Sequence, residues 1–428
     1  MSRELQVWLD QIRIGTLLEN MGIWSLQYDP TWVSEGFPLS PRLPLQAAEI
    51  QDTGTLRPVQ WFFDNLLPEE MARTRLIAEL PKGDWDSWNL LARFGGESAG
   101  ALTLLIPGVE LAAPGLSPLS DEELNHRIVN MSRIPLGATA PKKMSLAGAQ
   151  EKLPVVMGPN GALFDPLGAQ VSTHILKPNA LSNFYPASAV NEWFCARVAQ
   201  ELQLSVPPVQ LRHVPEAVYL IERFDRETRE GQLQRRHTLD ATQLLNLAAG
   251  AKYARSGAEA LSAIADLSRT PAPARIALFR WALFNVLIGN GDAHLKNLSF
   301  LADRDGCRLA PHYDLVSTAA WATLDLGATV RTWPDVELSF PIGEATTFLQ
   351  VRTEHFLQFA ETLGLPAQVA EHNITRLVKG ISEAADRVIV EHTQLTIPDA
   401  HRAAEIRMLR AIRYLPIADM ARQLIPSK

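Results

Sequence analysis

Ile288-Gly289-Asn290-Gly291-Asp292-Ala293-His294-Leu295-Lys296-Asn297 is the stretch that decides how this chain is read. It follows an apolar run containing Trp281, Leu283, Phe284, Val286 and Leu287, and it precedes another, Leu298-Ser299-Phe300-Leu301. A plain turn between helices accounts for Gly289 to Gly291, but not for polar His294, Lys296 and Asn297 pressed between two apolar runs. Asp292 and Asn297 stand at the interval D-x-x-x-x-N, at which an acid can meet an acceptor hydroxyl while an amide holds Mg2+ at the same phosphate. Downstream, an Asp303-Arg304-Asp305-Gly306 turn and Arg308-Leu309-Ala310-Pro311 form a hairpin leading to Tyr313-Asp314. Such a hairpin can return the chain so that Asp314 becomes a second metal ligand beside Asn297.

Upstream lie two further parts of a phosphoryl-transfer site. Ser145-Leu146-Ala147-Gly148-Ala149-Gln150-Glu151-Lys152 is a small-residue loop leading into a strand, where backbone N–H groups can hold phosphate oxygens. It contains neither GxGxxG nor the P-loop pattern, and by itself such a stretch is more often a plain turn. Lys177 ends the strand Thr173-His174-Ile175-Leu176 just before Pro178, a place from which an ammonium can reach the α- and β-phosphates. Glu192 follows on a helix, as does the glutamate that pairs with the strand lysine of a kinase; alternatively it is a first-turn acid favoured by the helix dipole. Each part has a bland reading alone. Their order of loop, lysine, Asp/Asn pair and second Asp is that of a kinase.

The chain has 428 residues, of which 46% are hydrophobic and 20% charged, as in ordinary globular proteins, and that length suggests two to three domains. Its net charge of −7 gives no overall basic field to recruit nucleic acid or anionic membrane. No stretch matches the roughly 18 to 20 uncharged residues of a membrane-spanning helix, and Glu4, Asp10, Arg13 and Glu19 break any signal-peptide core. The expected compartment is the cytoplasm, with no membrane partner. Cys195 and Cys307 form no CxxC pair, which argues against structural zinc or a disulfide framework.

The amino-terminal third reads as β-rich, opening with a hairpin around Asp10-Gln11 and carrying a helix start at Pro68-Glu69-Glu70. The Pro- and Gly-rich stretch from Pro107 to Pro118 marks a boundary. Strands are expected at Leu153 to Met157, Ser172 to Lys177 and Ala217 to Arg223, with one helix over Val190 to Leu202. Beyond Asp225 long helices dominate: 241–251, 258–267, 273–288, 355–363, 368–392 and 398–414. The expected domains are 1–106, 107–225 as a nucleotide-binding lobe, and 226–428 as a helical catalytic lobe.

With these residues named, the chain resembles the HipA family of serine/threonine kinases, the toxin half of bacterial HipBA-type toxin–antitoxin pairs. The resemblance runs over nearly the full length, through Trp61 to Glu69, Phe94 to Leu102, Ser145 to Lys152, His174 to Pro178, Ile221 to Arg226, Gly289 to Asn297 and Tyr313-Asp314. It implies an α/β (α+β), two-lobed protein-kinase-like fold with a β-rich amino-terminal part and an all-α carboxy-terminal lobe, and ATP in the cleft between lobes. It also implies roles. Ala147, Gly148, Ala149, Gln150, Glu151 and Lys152 would form the phosphate loop, and Lys177 would bind phosphate. Glu222, Arg223 and Phe224 would be the hinge at adenine, and Asp292 the catalytic base. His294, Leu295, Lys296, Asn297, Tyr313 and Asp314 would complete the ATP site, with Mg2+ on Asn297 and Asp314.

Ser145 occupies the place of the family's inhibitory autophosphorylation site, where added negative charge would eject the loop that faces ATP. The resemblance further implies a HipB-like helix-turn-helix antitoxin, contact with operator DNA only through that antitoxin, and an aminoacyl-tRNA synthetase, such as the glutamyl enzyme, as target. Translation arrest, growth inhibition and persistence would be the consequences. Because the amino-terminal segment lies in the same chain, the full-length toxin is expected and not the split form.

Two other readings compete. Gly96-Glu97-Ser98-Ala99-Gly100 fits the GxSxG elbow of serine hydrolases, but Pro107 leaves little room for the long helix that the elbow requires. The second is a catalytically weak kinase-fold binding module acting with a DNA-binding antitoxin. Lys177, Asp292, Asn297 and Asp314, all present, argue against it.

Overall fold

In the computed structural model, residues 2–78, 80, 83, 85–96, 98–141, 150–322 and 332–425 are described. The chain forms two compact units that do not follow sequence order: Met1–Ile175, Arg223–Lys252 and Ser299–Arg308 make the first, and Leu176–Glu222, Tyr253–Leu298 and Leu309–Lys428 the second.

The first unit begins with an antiparallel sheet in the strand order Ile50–Gln51, Ile23–Tyr28, Ile12–Asn20, Arg3–Leu9, Leu102–Leu105. The expected hairpin is present, with Arg3 opposite Glu19 and Leu9 opposite Ile12, and Asp10 in its turn adopts φ 54°. Alternate side chains Leu5, Val7, Leu17 and Leu26 are fully buried, the period of two that one covered sheet face imposes. The helix Ser87–Phe94 is capped by Asp86, whose carboxylate accepts the Asn89 N–H, and its Trp88 packs edge-on against Trp24 at 5.0 Å.

Ser98 is buried and its hydroxyl donates to the Leu102 carbonyl at 2.8 Å; the next element in the chain is the strand Leu102–Leu105, not a helix. This serine is therefore not a nucleophile on an elbow, and the hydrolase reading falls.

Short strands continue beyond Asp225, where helices were expected to dominate. Arg226–Arg229 and Gln232–Arg235 form a hairpin around Glu230 and Gly231, both at positive φ, the conformation of a tight primed turn. Thr238–Asp240 pairs with Ser299–Asp303. A Cβ on Gly100 would lie 2.8 Å from the Thr238 amide nitrogen, so glycine is required at this approach. The helix expected over 241–251 stops after Ala241–Leu244, because Asn246 turns left-handed at φ 58° and ends it.

The second unit is mainly helical, as expected of the carboxy-terminal region. Pro271–Leu287 is buried almost all round, with Leu278, Phe279, Trp281, Leu283 and Phe284 in the core. Phe279, Phe356 and Phe359 form an aromatic cluster with ring centroids 5.9 to 6.5 Å apart. Ala367–Thr393 and Asp399–Ile412 supply the long carboxy-terminal helices, and the second runs into a π-helical turn, Arg413–Ile417, that accommodates Pro416. Among the described residues no helix is long and apolar enough to cross a membrane.

One buried polar cluster ties these helices to the strand Val209–His213. Glu405 accepts from His213 Nε2 and His392 Nε2, each at 2.7 Å. Burial penalises its charge, yet the two imidazole hydrogen bonds prevail and hold the carboxyl down at about 2. An ionised carboxylate only accepts, so both rings carry their proton on Nε2. The depressed value means stability that is present above the unfolded carboxyl range and is lost as pH falls from about 4.5 towards 2. Glu405→Gln should cost about 1–3 kcal/mol at neutral pH, since its amide sets a donor against a donor, and should flatten this acid dependence. Urea midpoints of both proteins between pH 2.5 and 7 measure it.

Candidate active site

The Asp292 loop is held by its own polar residues. Asn290 is buried; its amide donates to Asn285 Oδ1 at 2.7 Å and its Oδ1 accepts the Asp292 N–H at 3.0 Å. The Thr318 hydroxyl accepts the Gly291 N–H at 2.7 Å and donates to the Gly289 carbonyl at 3.1 Å. Gly289 has φ 69°, and a Cβ there would stand 2.5 Å from Ala319 Cβ, so the turn requires glycine. Asn297 Nδ2 donates across the loop to the Asp292 carbonyl at 3.0 Å, which leaves its side-chain oxygen as an acceptor and fixes the spacing of the pair. Asp292 itself is exposed, while His294, Leu295, Lys296 and Asn297 are buried.

Lys177 is buried near the end of the strand His174–Pro178. Its ammonium lies 2.7 Å from Glu192 Oε1 and also pairs with Asp314 Oδ1. Burial works against the charge, but the Asp314 and Glu192 carboxylates outweigh it and raise the lysine above its ordinary range. The helix Ser188–Glu201 that carries Glu192 also anchors the segment after Asp314: Asn191 Oδ1 accepts the Ser317 N–H at 2.8 Å and its amide donates to the Ser317 carbonyl at 3.0 Å. Asp314 is in the left-handed region at φ 52°, a strained conformation that aspartate tolerates better than most residues and that aims its carboxylate at the lysine. Tyr313 donates to the Lys296 carbonyl at 2.8 Å, linking this segment to the Asp292 loop.

The second unit therefore brings together Lys177, Glu192, Asp292, His294, Leu295, Lys296, Asn297, Tyr313 and Asp314. Glu222 is exposed at the end of the strand Ala217–Glu222, and its N–H donates to the Pro208 carbonyl at 3.0 Å. Arg223 and Phe224 belong to the first unit. There the Arg223 guanidinium forms a buried pair with Asp225 at 2.8 Å and its N–H donates to Thr173 at 2.9 Å, so its side chain serves the fold. Of the expected phosphate loop, Gln150, Glu151 and Lys152 are half-buried in the first unit, and Glu151 pairs with Arg75 and accepts the Leu136 N–H at 3.2 Å. Ser145, Ala147, Gly148 and Ala149 lie outside the described residues.

Sequence reasoning did not find Tyr219 or Tyr253. Tyr219 is fully buried with its ring centroid 6.0 Å from Lys177 Nζ, and burial, then Glu192 and Asp314, push its phenol well up. It lies in a continuously buried strand, whose pattern marks no residue for function. Tyr253 donates to Asp292 Oδ1 at 2.5 Å. No motif surrounds it.

A buried lysine paired with a helical glutamate and with Asp314 thus stands in the same unit as Asp292. The chain matches two family models, the HipA N-terminal domain over residues 5–105 and the HipA-like C-terminal domain over 144–385. It is 32% identical to a putative kinase, Y4mE, of Sinorhizobium fredii over 93% of this chain and 94% of that one. It is 29% identical to the serine/threonine-protein kinase toxin HipA of Shewanella oneidensis, over 98% of each. A solved complex of Shewanella oneidensis HipA with HipB and its operator DNA contains a chain that superposes with a TM-score of 0.78, at 28% identity, covering 98% of this chain and all of that one. The chain belongs to the HipA family of serine/threonine kinase toxins.

Proposed function

We propose that this protein transfers the γ-phosphoryl group of ATP to a serine or threonine of another protein, as the toxin of a type II toxin–antitoxin pair. The observation that carries the reading is Lys177, a buried ammonium held between Glu192 and Asp314 in the unit that also presents Asp292. Asp292 receives the proton of the acceptor hydroxyl and orients its oxygen. Lys177 binds phosphate oxygens. Asn297 and Asp314 offer an amide oxygen and a carboxylate, a hard oxygen donor set that suits Mg2+. When bound, Mg2+ and the triphosphate supply charge neutralisation and the leaving group.

The regulatory part of the proposal places inhibitory autophosphorylation on Ser145, which immediately precedes the small-residue loop. A HipB-like antitoxin is the proposed partner, by analogy with the HipA–HipB–operator complex of Shewanella oneidensis, and operator DNA is reached through it. With a net charge of −7 the chain itself has little attraction for DNA. An aminoacyl-tRNA synthetase is the proposed target, and the cytoplasm the place of action.

The experiment is incubation of the purified protein with γ-labelled ATP and Mg2+, with mass spectrometry of the peptide containing Ser145. Phosphate on Ser145 supports both the kinase and its self-inhibition. Absence of label together with absence of an ATP-induced thermal shift overturns the kinase in favour of a binding module.

A further inference from the structure

Asp292 Oδ1 already has a hydroxyl on it. The Tyr253 phenol donates to that oxygen at 2.5 Å, and its ring stands edge-on to His294 with centroids 4.8 Å apart. The contact is built from two sides. The Ser256 N–H closes a turn on the Tyr253 carbonyl at 2.9 Å, and the Ser256 hydroxyl accepts the Leu295 N–H at 3.2 Å, so the turn is seated on the Asp292 loop at both ends. Tyr253 is 41% exposed and Asp292 is exposed as well, so the phenol can be displaced without opening the core.

A carboxylate that orients an acceptor hydroxyl takes a hydrogen bond from it, the same bond that the tyrosine makes. Resting on the kinase reading above, we infer that Tyr253 occupies the acceptor-hydroxyl place on Asp292 and makes this a specificity-determining position. Water and the hydroxyls of small, undocked molecules compete poorly with a phenol already tethered to the loop. A protein acceptor bound through a wider surface supplies the free energy to displace it. The substrate class this selects is a folded or extended protein segment with docking contacts, and idle ATP hydrolysis is suppressed. In that idle reaction the water oxygen bonds to the γ-phosphorus, the bond from phosphorus to the β,γ-bridging oxygen breaks, ADP leaves, and the proton of water passes to Asp292 and on to solvent.

The test compares the full chain with Tyr253→Phe, which keeps the ring on His294 and removes only the donor. The probes are Mg-ATP alone and dephosphorylated casein as a generic protein acceptor. The variant is expected to hydrolyse ATP about tenfold faster and to lower the casein KM about tenfold, the factor of one hydrogen bond to an ionised group at its weak end, with the kcat of casein phosphorylation and the ATP KM within about twofold. Ser256→Ala, which loosens the turn without touching Asp292, should shift the same two quantities in the same direction by a smaller factor. Unchanged hydrolysis and unchanged casein KM in an active Tyr253→Phe protein overturn the inference, as does phosphate found on Tyr253 itself. If neither protein labels casein nor hydrolyses ATP, the inference falls together with the kinase reading, and a missing ATP-induced thermal shift marks that reading as the cause.

Discussion

Lys177→Met should destabilise the protein and abolish phosphoryl transfer together. The ammonium is buried between Glu192 and Asp314, and methionine fills a similar volume while supplying no charge. Two carboxylates are then left facing each other without their cation. Breaking a buried ion pair by removing one partner costs about 3–5 kcal/mol. Here the lower end is expected, because the Asp314 side chain retains 33% exposure and water screens it, whereas Glu192 at 6% has no such relief. The free energy is read from urea midpoints at neutral pH. Turnover should fall at least a hundredfold, since one preorganised positive donor is removed from the proposed phosphate site. Glu192→Gln separates the two effects: it keeps Lys177 paired with Asp314, so it should lose less stability while still loosening the lysine.

Asp292→Asn should remove phosphoryl transfer by about a factor of a thousand while leaving ATP binding intact, the contribution expected of a positioned general base. The asparagine has the same shape and its backbone N–H still finds Asn290 Oδ1, so the loop and the Asn297 contact are preserved. What is lost is the oxygen that accepts a proton. The side chain is exposed and outside the Lys177, Glu192 and Asp314 cluster, so the ATP-induced thermal shift should stay within about a degree of wild type, and stability should change little, as for surface substitutions generally. Retained turnover would exclude Asp292 as the base. A lost thermal shift would place it in the nucleotide site instead.

Much of the candidate site was legible because its parts are local. The interval from Asp292 to Asn297 is a property of one loop, and the Asn297 amide reaching the Asp292 carbonyl is what a short covalent tether makes easy. The helix bearing Glu192 and the strand bearing Lys177 were visible as a switch from alternating to helical periodicity. The hairpin at Arg226–Arg229 and Gln232–Arg235 was missed although its Glu230-Gly231 turn stands in the sequence, because flanking polar residues show no apolar alternation. The premature end of the helix at Ala241–Leu244 was missed because a single asparagine in the left-handed conformation outweighs good helix formers around it.

By itself, then, the sequence determined the family, the types of residue at the site and the spacing within each segment, all of which depend on neighbours along the chain. Only the tertiary structure decided that Lys177 meets Asp314, 137 residues away, and that Tyr253 caps Asp292 from 39 residues away. It also decided that Arg223–Lys252 and Ser299–Arg308 pack with the amino-terminal segment and not with their neighbours in sequence. Such pairings are set by which faces bury one another, and burial is a property of the whole packed chain that no local pattern encodes.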